Sequence, residues 1–197
     1  MGILLRRSIG ALLAALLLGS LGVSQSAGAT DDVWKALERG GRVVLMRHAI
    51  TTSGVGDPPG MRLEDCATQR NLTDEGRAHA RAIGEAFRER RIAVDRVFSS
   101  PWCRCIESAQ LAFRRPPEVS QSLSNLFGRP ENAARQIEGL RALIDGHAGK
   151  GNLVLVTHGS TIVALTGVSP ATGEMVVVTK QPDRGFAVVG RVLVPTP

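Results

Sequence analysis

Arg42-Val43-Val44-Leu45-Met46-Arg47-His48 is the stretch on which the fold turns. Its apolar run is short and partly β-branched. It reads as a buried strand from Val43 to Arg47 that delivers Arg47 and His48 to its carboxyl end. A second run, Leu153-Val154-Leu155-Val156, ends the same way in Thr157-His158-Gly159. A third, Val94 to Phe98, leads into Ser99-Ser100-Pro101-Trp102-Cys103-Arg104. Open α/β sheets bind ligands outside the carboxyl ends of their strands. The three runs therefore bring two imidazoles and two guanidinium groups to one edge, which is the composition of a phosphoryl-transfer site with a histidine nucleophile.

The segments between these runs supply the rest of the pattern. Asp31 or Asp32 caps a helix over Val33 to Arg39, closed by Gly40-Gly41. A loop rich in Gly, Pro and Thr fills Ala49 to about Asn71. Thr73 reads as an N-cap, with Asp74 and Glu75 in the first turn of a helix running to about Arg90. Ile106, Ala109 and Phe113 mark the inner face of a helix after Pro101. Val119 starts a short strand, and Ser124 to Pro130 is loop. Ala133, Ile137, Leu140 and Ile144 recur at helical spacing. A short helix follows Gly159, and Glu174 to Thr179 with Phe186 to Val194 form a hairpin. Strands alternating with helices, then two strands in succession, predict a three-layer α/β/α sandwich on a mostly parallel sheet.

The sequence has 197 residues and a net charge of +6, mostly from Arg. Arg6-Arg7, an uncharged Leu- and Ala-rich run from Ile9 to Val23, and small residues at Ser26-Ala27-Gly28-Ala29 form a secretory leader cut after Ala29. Its apolar core of about 15 residues is short for a membrane span. The expected organisation is a signal peptide over residues 1–29 and a single domain over 30–197, at work in the periplasm or outside the cell. Without the leader the charge falls to about +4, a modest field that suits anionic substrates. There is no Tyr, and no basic cluster carries interleaved aromatics, so nucleic acid is not an expected partner. Nor is stable membrane association once the leader is gone. Oligomeric state is not legible.

An oxidising compartment makes a disulfide plausible among Cys66, Cys103 and Cys105. Cys103 and Cys105 are too close in sequence to pair comfortably. The bridge runs from Cys66 to Cys103 or to Cys105, with Cys66–Cys103 as the working pairing; three reduced, buried thiols are the rival. No CxxC or HExxH spacing exists, so neither a metal site nor a cofactor is expected.

Four motifs in order carry a resemblance: Leu45-Met46-Arg47-His48, Asn71-Leu72-Thr73-x-x-Gly76, Ser99-Ser100-Pro101-x-x-Arg104 and Val156-Thr157-His158-Gly159. Over about residues 42 to 195 the chain resembles the histidine phosphatase superfamily, which includes the phosphoglycerate mutases. The leader and compact length resemble its small bacterial periplasmic phosphatases. The resemblance implies a phosphoglycerate mutase-like fold and a metal-independent phosphomonoesterase. His48 would be the nucleophile, Arg47 and Arg104 would clamp the phosphoryl oxygens, and His158 would stabilise the transition state. Its alternatives are a phosphohistidine-protein phosphatase and a catalytically silent phosphate- or phosphosugar-binding protein.

Two departures from the family pattern stand out. The usual Gly after the first Arg-His is Ala49, which adds a methyl group beside the phosphate. The Asp that follows the second His in acid-phosphatase relatives is Gly159. The general acid is therefore open among Glu64, Asp65, Glu131 and Glu174, with Glu174 preferred. Gln69 and Arg70, in the loop before the first helix of the family motif, are further candidates for phosphate contact. His79 and His147 are read as a surface or half-buried residue and a helix-end residue.

Overall fold

The computed structural model describes residues 27–182 and 185–197, so the leader, up to residue 26, lies outside the described residues. The first helix, α1, is Ala27–Glu38. It begins upstream of the expected start at Val33, and the expected cleavage point falls inside it.

The strands are β1 (Val43–Arg47), β2 (Val94–Ser99), β3 (Glu118–Val119), β4 (Asn152–Thr157), β5 (Met175–Lys180) and β6 (Phe186–Val192). The helices after α1 are α2 (Asp74–Glu89), α3 (Cys103–Phe113), α4 (Ala133–Asp145) and α5 (Gly159–Thr166). One sheet runs in the order β3-β2-β4-β1-β5-β6. β3, β2, β4 and β1 pair in parallel, and β5 and β6 add an antiparallel margin. The expected sandwich is the observed one, with a phosphoglycerate mutase-like fold.

Alternation along the strands splits the core in two. Val44 and Met46 of β1 face a cluster built with α1, α2 and α3, whereas Val43 and Leu45 face α4 and α5. β1 and β4 are buried along almost their whole length, as a parallel sheet covered on both faces requires. Register then sets the site. Arg47 lies opposite Thr157, and Ser99 opposite Val156. His48, His158 and Ser100 consequently leave the sheet at one level.

Local chemistry fixes the flanking pieces. Thr73 caps α2 by accepting from the Gly76 amide at 3.0 Å. Gly76 is required there because a Cβ would run into the Ile50 carbonyl. Some side chains differ from expectation. The buried face of α3 is Cys105, Ser108, Ala109 and Ala112, with Ile106 and Phe113 at its border. His79 is buried, and its Nε2 lies 2.8 Å from the Val194 carbonyl: packing of the C-terminal segment over α2 decides this, and helical period alone does not. His147 is buried too, with Nε2 3.0 Å from the Gly151 carbonyl.

Cys66 and Cys103 form a disulfide across a sequence separation of 37, and Cys105 is a free, buried thiol. The bridge ties the long loop after β1 to the first turn of α3. Closing a loop of this size contributes about 4 kcal/mol in the chain-entropy model. Replacing Cys66 and Cys103 together by Ser is expected to lower stability to chemical denaturation by about that amount. Guanidinium titrations of the two forms measure it, and equal midpoints would contradict the assignment of the loop as a structural staple.

Candidate active site

The carboxyl edge of β1, β4 and β2 carries the predicted residues to one place. Arg47, His48, Arg104 and His158 line a common pocket of about 400 Å³, and Arg70 joins them. Each is held differently. The Arg47 amide donates to the Glu174 carbonyl at 3.0 Å, and its Nη1 to the Pro170 carbonyl at 2.8 Å. The His48 amide donates to the Thr157 carbonyl at 2.9 Å, which locks β1 to β4 at the reacting residue. Arg104 sits in the first turn of α3 and is wholly buried. His158 is the N-cap residue of α5.

The surroundings of His48 fix its tautomer and its charge. Its Nδ1 lies 2.9 Å from the Ala49 carbonyl, an acceptor only, so the hydrogen sits on Nδ1. The Nε2 lone pair is left free. Burial, followed by the charge of Arg104, pushes the His48 pKa down to about 3, so the ring is neutral in the free site. His158 is shifted the same way by burial, His48 and Arg104. Its Nε2 lies 2.8 Å from Ser100 Oγ, and its Nδ1 meets Arg104 Nη2 at 3.5 Å. Arg104 has only hydrogens to give, so Nε2 of the neutral ring carries its hydrogen toward Ser100. The two imidazoles are 5.5 Å apart, centroid to centroid. A dianion between them favours the charged form of His158, which suits the transition-state role the resemblance implies for it.

The guanidinium groups point to an anion. The Nε atoms of Arg47, Arg70 and Arg104 are all buried without a hydrogen-bond partner. Three guanidinium groups gathered on one pocket with two imidazoles suit a multivalent oxyanion. Arg70, a loop residue in sequence, reaches the pocket because its Nη1 donates to the Gly54 carbonyl at 2.7 Å.

Asp57 is the residue that sequence reasoning missed. It accepts from Arg104 Nη1 at 2.6 Å and Nη2 at 3.1 Å, from Trp102 Nε1 at 3.0 Å and from the Arg70 amide at 3.2 Å. Its side chain is almost fully buried. Burial would raise its pKa, but the hydrogen bonds and charge of Arg104 outweigh that and hold it below the usual carboxylate range. Three arginines against one carboxylate leave the pocket with two net positive charges, the complement of a phosphate monoester dianion. The only sequence signal was an acid between Gly56 and Pro58, in a loop that also carries Glu64 and Asp65.

Other expected roles are corrected. Glu174, the favoured acid, is turned away from the pocket: Arg191 grips both of its oxygens at 2.7 Å, and the Ala171 amide donates to it at 2.7 Å. Burial would raise its pKa, but these bonds hold it down, so it carries no proton to give. Its neighbouring Gly173 amide bonds the His48 carbonyl, and the residue serves the framework instead. Gln69 is buried in the disulfide loop, donating to the Arg62 and Leu63 carbonyls and accepting from the Cys103 amide, so its amide is spent before any phosphate arrives. Glu64, Asp65 and Glu131 do not line the pocket. Ala49 places its methyl in a small cluster with Leu72 and Ala80 rather than beside the phosphate. Its amide donates to Ser108 Oγ at 3.0 Å. Gly159 leaves room for Arg47, whose Nε would lie 3.4 Å from a Cβ at that position.

An α/β sandwich whose parallel strand ends carry paired, buried imidazoles inside an arginine-lined anion pocket is the class that fold and site define. The model of the histidine phosphatase superfamily, branch 1, matches residues 43–131. Over that stretch the chain is similar to that superfamily. No curated protein sequence matches it. Solved structures share the fold at low identity. The protein histidine phosphatase SixA, complexed with tungstate, has a TM-score of 0.56 at 19% identity over 77% of this chain and 96% of that one. The open reading frame Rv3214 from Mycobacterium tuberculosis has a TM-score of 0.59 at 19% identity, over 80% and 99%. A mycobacterial glucosyl-3-phosphoglycerate phosphatase, Rv2419c, has 0.57 at 17%, over 75% and 96%.

Two outcomes are expected. Asp57→Ala leaves Arg104 buried without its counter-ion and is expected to cost about 3 kcal/mol. Inorganic phosphate should restore more of the melting temperature in this variant than in the parent, since the anion replaces the missing charge; equal shifts would contradict the pairing. The second concerns pH. The folded pKa of His48 lies below its unfolded value, so the unfolded chain binds an extra proton between about pH 6.5 and 3. Stability therefore falls as pH drops through that window, by about 2 kcal/mol from this ring at pH 5. Denaturant titrations of the parent and His48→Ala at pH 7.5 and pH 5 check it, the variant losing less on acidification.

Proposed function

We propose that the protein hydrolyses phosphate monoesters through a phosphohistidine on His48, without a metal, outside the cytosol. The observation that carries this reading is the free Nε2 of a tautomer-locked, neutral His48 in a pocket that Arg47, Arg70 and Arg104 also line. The arginines hold the phosphoryl oxygens, and the N-terminus of α5 adds its dipole. His48 Nε2 forms a bond to phosphorus as the ester P–O bond breaks, and the electron pair leaves with the alkoxide. Water then attacks phosphorus, the P–N bond breaks, and free imidazole and inorganic phosphate result. Negative charge on the equatorial oxygens is met by Arg47, Arg104 and protonated His158. The fixed positive field of the arginines stands where other phosphatases use cations.

The extracytoplasmic address rests on the leader pattern in the sequence and on the Cys66–Cys103 bridge, which suits an oxidising compartment. Among the described residues no helix is long and apolar enough to cross a membrane.

The test is hydrolysis of p-nitrophenyl phosphate in the presence of EDTA by residues 30–197, with His48→Ala beside it. Metal-independent turnover is expected, reduced by at least about a thousandfold in the variant, as for loss of a catalytic nucleophile. Phosphate binding without turnover in the parent would favour the silent binding protein. Turnover of a phosphohistidine protein alone would favour the phosphohistidine reading.

A further inference from the structure

We propose that the substrate class is an aryl phosphate monoester, a phosphoryl group on a small, uncharged phenol. This rests on the phosphatase reading above, and two features of the pocket carry it.

The first is the collar. Val55, Phe127 and Val163 line the mouth of the pocket and are 86%, 56% and 41% exposed. They are three of the seven large apolar side chains exposed among the described residues, gathered at one opening. The collar is built rather than incidental. Phe127 packs against Gly56, whose Cβ would lie 3.6 Å from the ring. Asn125 Oδ1 accepts from the Phe127 amide at 3.1 Å and from Ser160 Oγ at 2.9 Å, tying the phenylalanine to the start of α5. The charged side chains of the pocket are Arg47, Arg70 and Arg104, and their guanidinium charge marks the phosphoryl end. The leaving group thus meets apolar and neutral groups. Arg129 lies in the adjoining cavity that shares Gly56, Asn125 and Phe127, with its guanidinium over the Trp102 ring, so the collar residues themselves offer a second anion no cation.

The second feature concerns the proton. No Asp or Glu lines the pocket among the described residues. Asp57 is held ionised by Arg104, and Glu174 by Arg191. An alkoxide leaving group needs a proton in the transition state, and a positioned acid supplies about a hundredfold or more in rate. A phenolate does not need it. In the proposed step the His48 Nε2–P bond forms, the P–O bond breaks, and its electron pair departs on the phenolate oxygen. The phenolate takes its proton from bulk water after release. The ring that stabilises this charge is also the shape the collar accepts.

The experiment compares kcat/KM for phenyl phosphate, hexyl phosphate and glycerol 1-phosphate, with the parent, His48→Ala and Phe127→Ser. Phenyl phosphate is expected to exceed glycerol 1-phosphate by about a hundredfold and hexyl phosphate by about tenfold, and Phe127→Ser is expected to narrow the phenyl-to-glycerol ratio about fivefold. A melting curve for Phe127→Ser shows that the variant is folded. Glycerol 1-phosphate within threefold of phenyl phosphate, hexyl phosphate equal to phenyl phosphate, or an unchanged ratio in Phe127→Ser would each overturn the aryl assignment and leave the phosphatase reading standing. Absence of His48-dependent turnover of all three esters would overturn both.

Discussion

The buried contact between Arg104 and Asp57 is the interaction on which the site depends. A guanidinium sealed at the end of a parallel sheet is tolerated only with a counter-charge and filled hydrogen bonds. Asp57 provides both, and it also holds Trp102 and the backbone of Arg70. One carboxylate thereby fixes the clamp arginine, the aromatic ring beside His158 and the loop that brings the third arginine to the pocket. The edge of Arg104 that Asp57 leaves open carries Nε, the donor without a partner. What the pair stabilises is a cavity waiting for negative charge.

The disulfide and the loop after β1 serve that arrangement. Cys103 is bonded to Cys66 one residue before Arg104, and Gln69 accepts from the Cys103 amide. The loop from Ala49 to Asn71 has little periodic structure of its own, yet it is anchored at Asp57, Arg70, Gln69 and Cys66 to α3. A segment rich in Gly and Pro gains a single conformation from such cross-links rather than from local propensity. Cys105, two residues beyond Cys103, plays no redox part in this. Burial pushes its thiol up to about 12, so it stays protonated and packs as a small apolar group.

Electrostatics in the empty pocket and in the filled pocket have opposite sense. Burial, with arginines close by, keeps both imidazoles neutral, which leaves His48 its lone pair. A bound dianion cancels the arginine field and lets His158 take a proton where charge develops. The arginine field that adds to this lowering also favours an anion in the pocket. Glu174 lies outside this circuit. Its ion pair with Arg191 ties the turn before β5 to β6, and so supports the backbone against which Arg47 and His48 are fixed.

The sequence by itself determined what is local or repeated. Short apolar runs gave the strands, Thr73 gave a helix start, and the residues following three runs named Arg47, His48, Arg104 and His158, because a parallel sheet delivers whatever follows each strand to one edge. Tertiary structure decided what depends on partners distant in the chain. Asp57 meets Arg104 across 47 positions, and nothing in its neighbourhood of Gly and Pro marks it. Glu174 sits at the start of a strand beside the site, but which way its carboxylate turns is set by Arg191 on the next strand. His79 is buried by a C-terminal segment that helical period does not see. Periodicity reports which face of an element is apolar; it carries no information on which charged group another element brings against it, and that pairing is where this pocket acquires its chemistry.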